Sequence, residues 1–118
     1  MHEMGVAMEI IDIALASIPA EMAGARVARL NLKVGKLSAI VPDSLRFCFE
    51  VAARDTALAG AELNIMEIPV QARCNACRRE WTIDRPAFAC PHCANGDITL
   101  LSGRELDIES LEIEEEEN

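Results

Sequence analysis

The stretch CNACRREWTIDRPAFACPHC, residues 74–93, decides the fold of this chain because it holds two CxxC pairs separated by twelve residues. Each pair can offer two thiolates to one ion, and the intervening loop lets the pairs face each other. Four thiolates fill every position of a tetrahedral Zn²⁺ site, so the spacing predicts a closed, structural zinc site. The expected ligands are the four cysteines, Cys74, Cys77, Cys90 and Cys93. Iron is the alternative ion for the same ligands, and His92, inside the second pair, is expected to be an exposed loop histidine.

Length and composition limit the classes of protein that the chain can be. Its 118 residues suffice for one ordinary domain, or for a domain and a small metal-held module. The net charge of −9 repels phosphate backbones, so we expect no nucleic-acid partner. No apolar run reaches the roughly 18 residues of a membrane span, so we expect no membrane association. Unpaired thiols at this spacing favour the reducing cytoplasm.

Apolar periodicity predicts two helices. The first covers residues 4–18 and ends before Pro19, and its expected buried face comprises Met4, Met8, Ile11, Leu15 and Ile18 with Ala7 and Ala14. The second helix begins at Pro42, which suits a first helical turn.

Alternating apolar and polar residues predict three strands, over residues 26–34, 61–69 and 104–113. The pattern of the last strand slips at Glu109–Ser110, which predicts a β-bulge there. A helical crossover joins the first two strands, as in a right-handed parallel unit. The second and third strands flank the cysteine module, so we expect them to pair with each other.

These elements predict an α+β fold, with two helices packed on a three-stranded mixed sheet and an inserted four-cysteine zinc-ribbon module. The expected α/β domain is discontinuous, formed by residues 1–69 and 100–118, and the zinc-binding module covers residues 70–99. A module of this size cannot bury a sufficient core alone. Metal binding would therefore supply its folding free energy, on the order of 10 kcal/mol.

The N-terminus, Met1-His2-Glu3, offers four nitrogens within three residues: the Met1 amine, the backbone nitrogens of His2 and Glu3, and the His2 imidazole. Nitrogen-rich planar arrangements favour Ni²⁺ or Cu²⁺ over Zn²⁺. By itself a histidine at position 2 is weak evidence for a metal site. We find no acid/base pair, nucleophile arrangement or phosphate-binding glycine loop, so we expect no enzyme.

The chain resembles the HypA/HybF family of hydrogenase maturation proteins, which are nickel metallochaperones. The resemblance rests on the initial MHE, VGKLSAIVPDSLRFCFE at residues 34–50, IMEIP at residues 65–69, the two cysteine pairs, and SGRELDIESLEIE at residues 102–114. It covers nearly the whole chain.

This resemblance implies that His2 is the essential ligand of a transferred Ni(II), with Met1 and Glu3 as further ligands, and that the four cysteines hold structural Zn(II). It also implies two partners, the nickel GTPase HypB and the large subunit of [NiFe] hydrogenase; some family members also serve urease. The sequence leaves a homodimer open. A protein-interaction zinc ribbon, with His2 incidental, is the alternative from another functional class.

Overall fold

A computed structural model describes residues 3–114. The helices are α1 (Glu3–Ser17) and α2 (Pro42–Ala52). The strands are β1 (Val27–Gly35), β2 (Glu62–Ile68), β3 (Val70–Cys74), β4 (Glu80–Ile83), β5 (Ile98–Ser102) and β6 (Leu106–Ile113). Two single turns of 3₁₀ helix cover Ala20–Met22 and Lys36–Ser38. Both predicted helices and all three predicted strands are present, and the α+β class is confirmed.

The described chain divides into two compact units. Residues 3–33, 39–66 and 107–114 form the first, called the helical unit below, and residues 34–38 and 67–106 form the second, called the cysteine unit. The domain limits given from sequence stay a prediction.

The first sheet has the strand order β2-β1-β6, so β1 lies at its centre. The predicted pairing of segments 61–69 and 104–113 is therefore wrong, because β2 and β6 are the two edges. Sequence adjacency to the inserted module does not decide which strands are neighbours. The central position goes instead to β1, whose Leu30 and Leu32 are completely buried.

Side-chain and backbone contacts define the directions of these strands. The N–H of Glu114 donates to the carbonyl of Arg26 at 2.9 Å, so the end of β6 lies beside the start of β1 and the two run antiparallel. Arg29 bonds Glu62, and two residues further along both strands Asn64 donates to Asn31, so β1 and β2 run parallel. The sheet is mixed, as predicted.

Both helices bury one face in the helical unit. The buried residues of α1 are Val6, Ala7, Ile10, Ile11 and Ala14, and those of α2 are Leu45 and Phe49. Full burial of a leucine or phenylalanine contributes about 1.5–3 kcal/mol each. Within residues 3–114, no helix has the length and apolar character needed to cross a membrane.

The predicted buried face of α1 is partly wrong. Met4 and Leu15 are more than one third exposed, and Met8 is 55% exposed. Almost every residue of this helix except its acidic ones is apolar, so periodicity alone did not select the face. The small side chains of Ala7 and Ala14 are completely buried, which lets the helix approach its neighbours on that side.

The cysteine unit contains a second sheet, with the order β4-β3-β5 and both pairs antiparallel. Gln71 is opposite Ser102 whereas Ala72 is opposite Leu100, so Leu101 is an extra residue in β5 and forms a bulge. The three strands predicted from the sequence include neither β3 nor β5 as a separate strand.

Two glycines meet where the chain enters and leaves this unit. The N–H of Gly35 donates to the carbonyl of Glu105 at 2.7 Å, and the N–H of Leu37 donates to the carbonyl of Gly103 at 2.8 Å. A Cβ atom added at Gly35 would overlap the carbonyl carbon and oxygen of Gly103. Only glycine fits at this position, because the obstructing atoms belong to the backbone.

We predict that Gly35→Ala lowers the free energy of unfolding by about 2–3 kcal/mol, because the backbone must separate to admit the methyl group. Urea unfolding followed by the fluorescence of Trp81, the single tryptophan, measures this change. Gly96→Ala is the matched control, since its added Cβ would meet no atom within 4 Å. Equal stability of the two variants would contradict the close contact.

Candidate metal centres

The structure brings the four cysteines of the two CxxC pairs together. Their Sγ atoms all lie within 4.8 Å of one another. The Sγ atoms of Cys74 and Cys93 are 3.5 Å apart, and those of Cys77 and Cys90 are 3.6 Å apart. Four sulfurs at about 2.3 Å from a tetrahedral zinc ion would be about 3.8 Å apart, so this cluster fits such an ion with little movement.

The two CxxC pairs adopt the same hydrogen-bonded turn. In the first, the N–H of Cys74 donates to the carbonyl of Arg79 and the N–H of Arg78 donates to the carbonyl of Cys74. In the second, Cys90 donates to Asn95 and Ala94 donates to Cys90 at equivalent positions. This repetition explains how two segments separated along the chain present their thiols in the same way.

Each turn requires a left-handed residue directly after its second cysteine. Arg78 has φ of 67° and Ala94 has φ of 62°. Non-glycine residues adopt this conformation at a cost of about 1–2 kcal/mol. The left-handed residue closes the turn, so that the carbonyls of Arg79 and Asn95 can accept from the N–H groups of Cys74 and Cys90. Within the turns, Cys77 N–H donates to Cys74 Sγ at 3.4 Å, and His92 N–H donates to Cys90 Sγ at 3.4 Å.

These backbone N–H groups also favour the thiolate form of Cys74 and Cys90, which is the form that binds a metal cation. The N–H of Cys77 is the largest influence on Cys74 and lowers its pKa to about 6. Burial opposes ionisation of Cys90, but the N–H groups of Cys93 and His92 outweigh it and lower the pKa of that thiol. The N–H of Asn95 favours the thiolate of Cys93, yet the neighbouring thiols and burial together raise its pKa to about 11. A divalent cation would displace the protons that the cluster retains.

A polar network links the two turns. The N–H of Asn75 donates to the carbonyl of Asp97 at 3.0 Å, and the Asn75 side chain donates to the Asp97 carboxylate at 3.1 Å. Asp97 N–H donates in turn to the side chain of Asn95 at 2.8 Å, and Thr99 donates to Asn75 at 3.0 Å. Sequence reasoning missed this network, because Asn and Asp are common in any turn.

Burial differs within the cluster. Cys74 and Cys90, the first cysteines of the two pairs, are buried, whereas Cys77 and Cys93 are exposed. His92 is exposed, as predicted, and lies outside the four-cysteine group; the guanidinium of Arg79 donates to its Nδ1 at 2.8 Å.

Apolar packing is thin around this site. Eighteen apolar residues are buried among those that the structure describes. Only five of them belong to the cysteine unit, and two of those five are themselves cysteines: Val34, Val70, Ala72, Cys74 and Cys90. So small a core cannot stabilise a separate unit without a further contribution.

The second candidate centre, at the N-terminus, is described only in part. Met1 and His2 lie outside the described residues. Glu3 is the first residue of α1 and is half-buried, and its Oε1 accepts a hydrogen bond from the Ser44 hydroxyl of α2 at 3.3 Å. Sequence analysis did not identify Ser44 as a neighbour of this terminus.

Comparison with known proteins gives consistent matches over almost the full chain. Residues 1–113 match the family model "Hydrogenase/urease nickel incorporation, metallochaperone, hypA". A hydrogenase maturation factor HypA from Desulfosudis oleivorans is 55% identical over 115 residues, which cover 98% of this chain and all of that protein. Another, from Desulfatibacillum aliphaticivorans, is 52% identical and the match covers 99% of this chain and 90% of that one.

Solved structures share the fold. The solution structure of the Ni metallochaperone HypA from Helicobacter pylori matches with a TM-score of 0.65 at 22% identity, covering 96% of this chain and 97% of that one. A second solution structure, of a HypA protein, matches with a TM-score of 0.68 at 22% identity and covers 96% of each chain.

We predict that Ala94→Val weakens metal retention by the four cysteines at least tenfold, because a β-branched residue fits the left-handed conformation poorly. Zinc-loaded protein is challenged with a competing chelator, and the released zinc is measured. Ala89→Val, at an exposed position of the same unit with an ordinary φ, is the control and should retain zinc like the parent protein. Similar retention by both variants would refute the role of the left-handed turn.

Proposed function

The chain belongs to the HypA family of hydrogenase maturation factors, and from this we propose that it binds Ni(II) at its N-terminus and delivers it during maturation of [NiFe] hydrogenase. The observation that carries the proposal is the family match from residue 1 to residue 113, which includes the initial Met-His-Glu. The family description names urease beside hydrogenase, so urease is a second proposed client. A metallochaperone transfers its metal without chemical turnover.

The proposed nickel ligands are the imidazole of His2, the amine of Met1 and nitrogen atoms of the adjacent backbone, with Glu3 beside them. Two features of α1 support this assignment. The helix begins at Glu3, and the first amides of a helix have no carbonyl partner within it, so the Glu3 amide is available. The Glu3 carboxylate also offsets the partial positive charge at a helix N-terminus, which would otherwise disfavour a cation.

The contact with Ser44 gives the Glu3 side chain a separate role. Its Oε1 accepts a hydrogen bond from the Ser44 hydroxyl at 3.3 Å, which ties the first turn of α1 to α2. We therefore assign to Glu3 a backbone nitrogen ligand and a carboxylate that anchors the site to α2.

The proposed resident ion of the cysteine unit is Zn(II), held by Cys74, Cys77, Cys90 and Cys93. The sulfur spacing fits a tetrahedral ion, and four thiolates leave no coordination position for a client protein's ligand. In this arrangement zinc stabilises the fold while nickel is transferred. Iron in the same site would give red protein, whereas zinc gives colourless protein.

Delivery requires partners, and we propose the GTPase HypB and the large subunit of [NiFe] hydrogenase, in the cytoplasm. Met4, Met8 and Leu15 form an exposed apolar strip on one face of α1, beginning one residue after Glu3. An apolar strip beside a metal site offers a docking surface from which a partner's ligands can reach the ion. Phe47 of α2, 65% exposed, adds a further apolar side chain to the helical unit.

The proposed function predicts an effect of replacing the nickel ligand His2. Zinc-loaded protein with a native, untagged N-terminus should bind about one Ni²⁺ per chain in calorimetric titration, and His2→Ala should abolish this binding because it removes the imidazole.

The matched control is His92→Ala, since His92 is the only other histidine of the chain and is exposed. This variant should bind nickel like the parent protein. If His2→Ala and the parent bind alike, the proposed site is wrong; if His92→Ala alone loses nickel, the ion is bound in the cysteine unit.

The proposed ligands also predict that nickel affinity depends on pH. An α-amino group and an imidazole ordinarily titrate near pH 7.8 and pH 6.5, and both must lose a proton to bind a metal. Acidification therefore protonates the free ligands and opposes binding. Each backbone amide nitrogen that binds must also release its proton, so the nickel association constant should fall by at least about 50-fold from about pH 7.5 to about pH 6. An association constant that stays constant over this interval would contradict nitrogen ligation.

A further inference from the structure

We propose that the cysteine unit carries a groove that binds an acidic peptide segment of a partner protein. The groove has a volume of about 280 Å³ and lies entirely within this unit. It is bounded by the 3₁₀ turn that contains Lys36, by the junction of β2 and β3, and by the chain that follows β4 as far as Phe88. This inference does not depend on nickel binding or on the identity of the ion at the four cysteines.

Apolar side chains form much of the groove. Leu37 is 37% exposed and Phe88 is 45% exposed, so both present apolar surface to an incoming chain. The remaining apolar members of the lining are Pro69, Val70, Ile83 and Pro86. An aromatic ring beside rigid prolines can receive an apolar anchor residue at a small cost in conformational entropy.

Two basic side chains that line the groove have no salt-bridge partner among the described residues. Lys36 and Arg85 both line it and both are exposed, and neither forms a salt bridge with any residue from 3 to 114. Asp84 is the only acidic side chain of the lining. By contrast, Arg29 pairs with two glutamates. Unpaired cations on a chain with a net charge of −9 indicate a surface suited to an acidic ligand.

The charge of the two units supports this assignment. The cysteine unit has six basic residues, Arg73, Arg78, Arg79, Arg85, Arg104 and Lys36, against five acidic ones, Glu67, Glu80, Glu105, Asp84 and Asp97. With its cysteines counted as neutral, the formal balance of this unit is +1, and the rest of the chain, including Glu115, Glu116 and Glu117, carries −10. Four thiolates around one Zn²⁺ would add −2 to the cysteine unit, which would still be far less acidic than the rest of the chain. An acidic segment thus meets the least repulsion at the cysteine unit.

The lining favours a peptide over a nucleic acid. Phe88 is the only aromatic side chain of the groove, and two cations are few for a phosphate backbone. Alternating acidic and apolar side chains in an extended peptide would match both features, because carboxylates would reach Lys36 and Arg85 while an apolar side chain rests against Phe88.

The test uses a short peptide of alternating glutamate and leucine, labelled with an uncharged dye, and measures fluorescence anisotropy with the full-length, zinc-loaded protein. The peptide should bind, its affinity should fall as salt is raised, and a glutamine-for-glutamate version should bind more weakly. Removing both cations by Lys36→Ala with Arg85→Ala should weaken binding about 5- to 10-fold. Phe88→Ala should weaken it at least about fivefold, as expected for an aromatic anchor.

Two controls match these variants. Arg54→Ala removes an exposed cation of the helical unit, and Leu101→Ala removes an apolar side chain of the cysteine unit that is 42% exposed, close to the exposure of Phe88. Both should leave peptide binding unchanged, and all variants should retain zinc.

Four results of the binding assays would overturn the proposal. These are absence of binding, equal binding of the glutamine peptide, an equal loss in the control variants, and stronger binding of a labelled single-stranded oligonucleotide at the same groove. Concentration-dependent dimerisation that is lost when Lys36 and Arg85 are replaced would identify a second copy of this chain as the occupant and would also overturn it.

Discussion

The convergence of four thiols is the contact on which the cysteine unit depends. The unit buries only three apolar side chains besides its cysteines, Val34, Val70 and Ala72, too few for a core of its own. Hydrogen bonds alone contribute about 1 kcal/mol each on balance, so the sheet β4-β3-β5 does not replace the missing core. A bound ion that joins both cysteine pairs supplies a free energy of a different order, about 10 kcal/mol or more. We therefore expect the fold of this part of the chain to depend on a metal ion bound by the four cysteines.

The two proposed metal centres differ in the property that determines whether an ion stays or leaves. Four thiolates on two constrained turns hold an ion from all sides, and it can be released only when those turns open. The proposed N-terminal ligands belong to the two residues before α1 and to the first residue of that helix, and a partner could replace them one at a time. Retention at the cysteines and transfer from the N-terminus would follow from backbone constraint together with the choice of sulfur or nitrogen ligands.

The sequence predicted the parts of this molecule that depend on local patterns. Cysteine spacing indicated the cluster because two CxxC turns admit few arrangements, and Pro42 marked the start of α2 because its ring suits that position. The order of the sheet was predicted incorrectly, since pairing of distant strands depends on burial of the whole layer. The face of α1 that contacts the core was also missed in part, because an almost uniformly apolar helix carries little directional information. Nothing in the residue types of Arg78 or Asn75 indicated the left-handed turn or the polar network.

The unequal burial of the four cysteines determines the order in which oxidation would damage this unit. Cys77 and Cys93 are exposed, whereas Cys74 and Cys90 are shielded. An oxidant or a competing soft metal therefore meets one sulfur from each turn first, and these two sulfurs lie within 4.8 Å of each other. Their joining as a disulfide would remove half of the ligands while leaving the shielded pair reduced. Damage would then begin at the surface of the site and remain repairable by a reductant for as long as the shielded pair holds the two turns together.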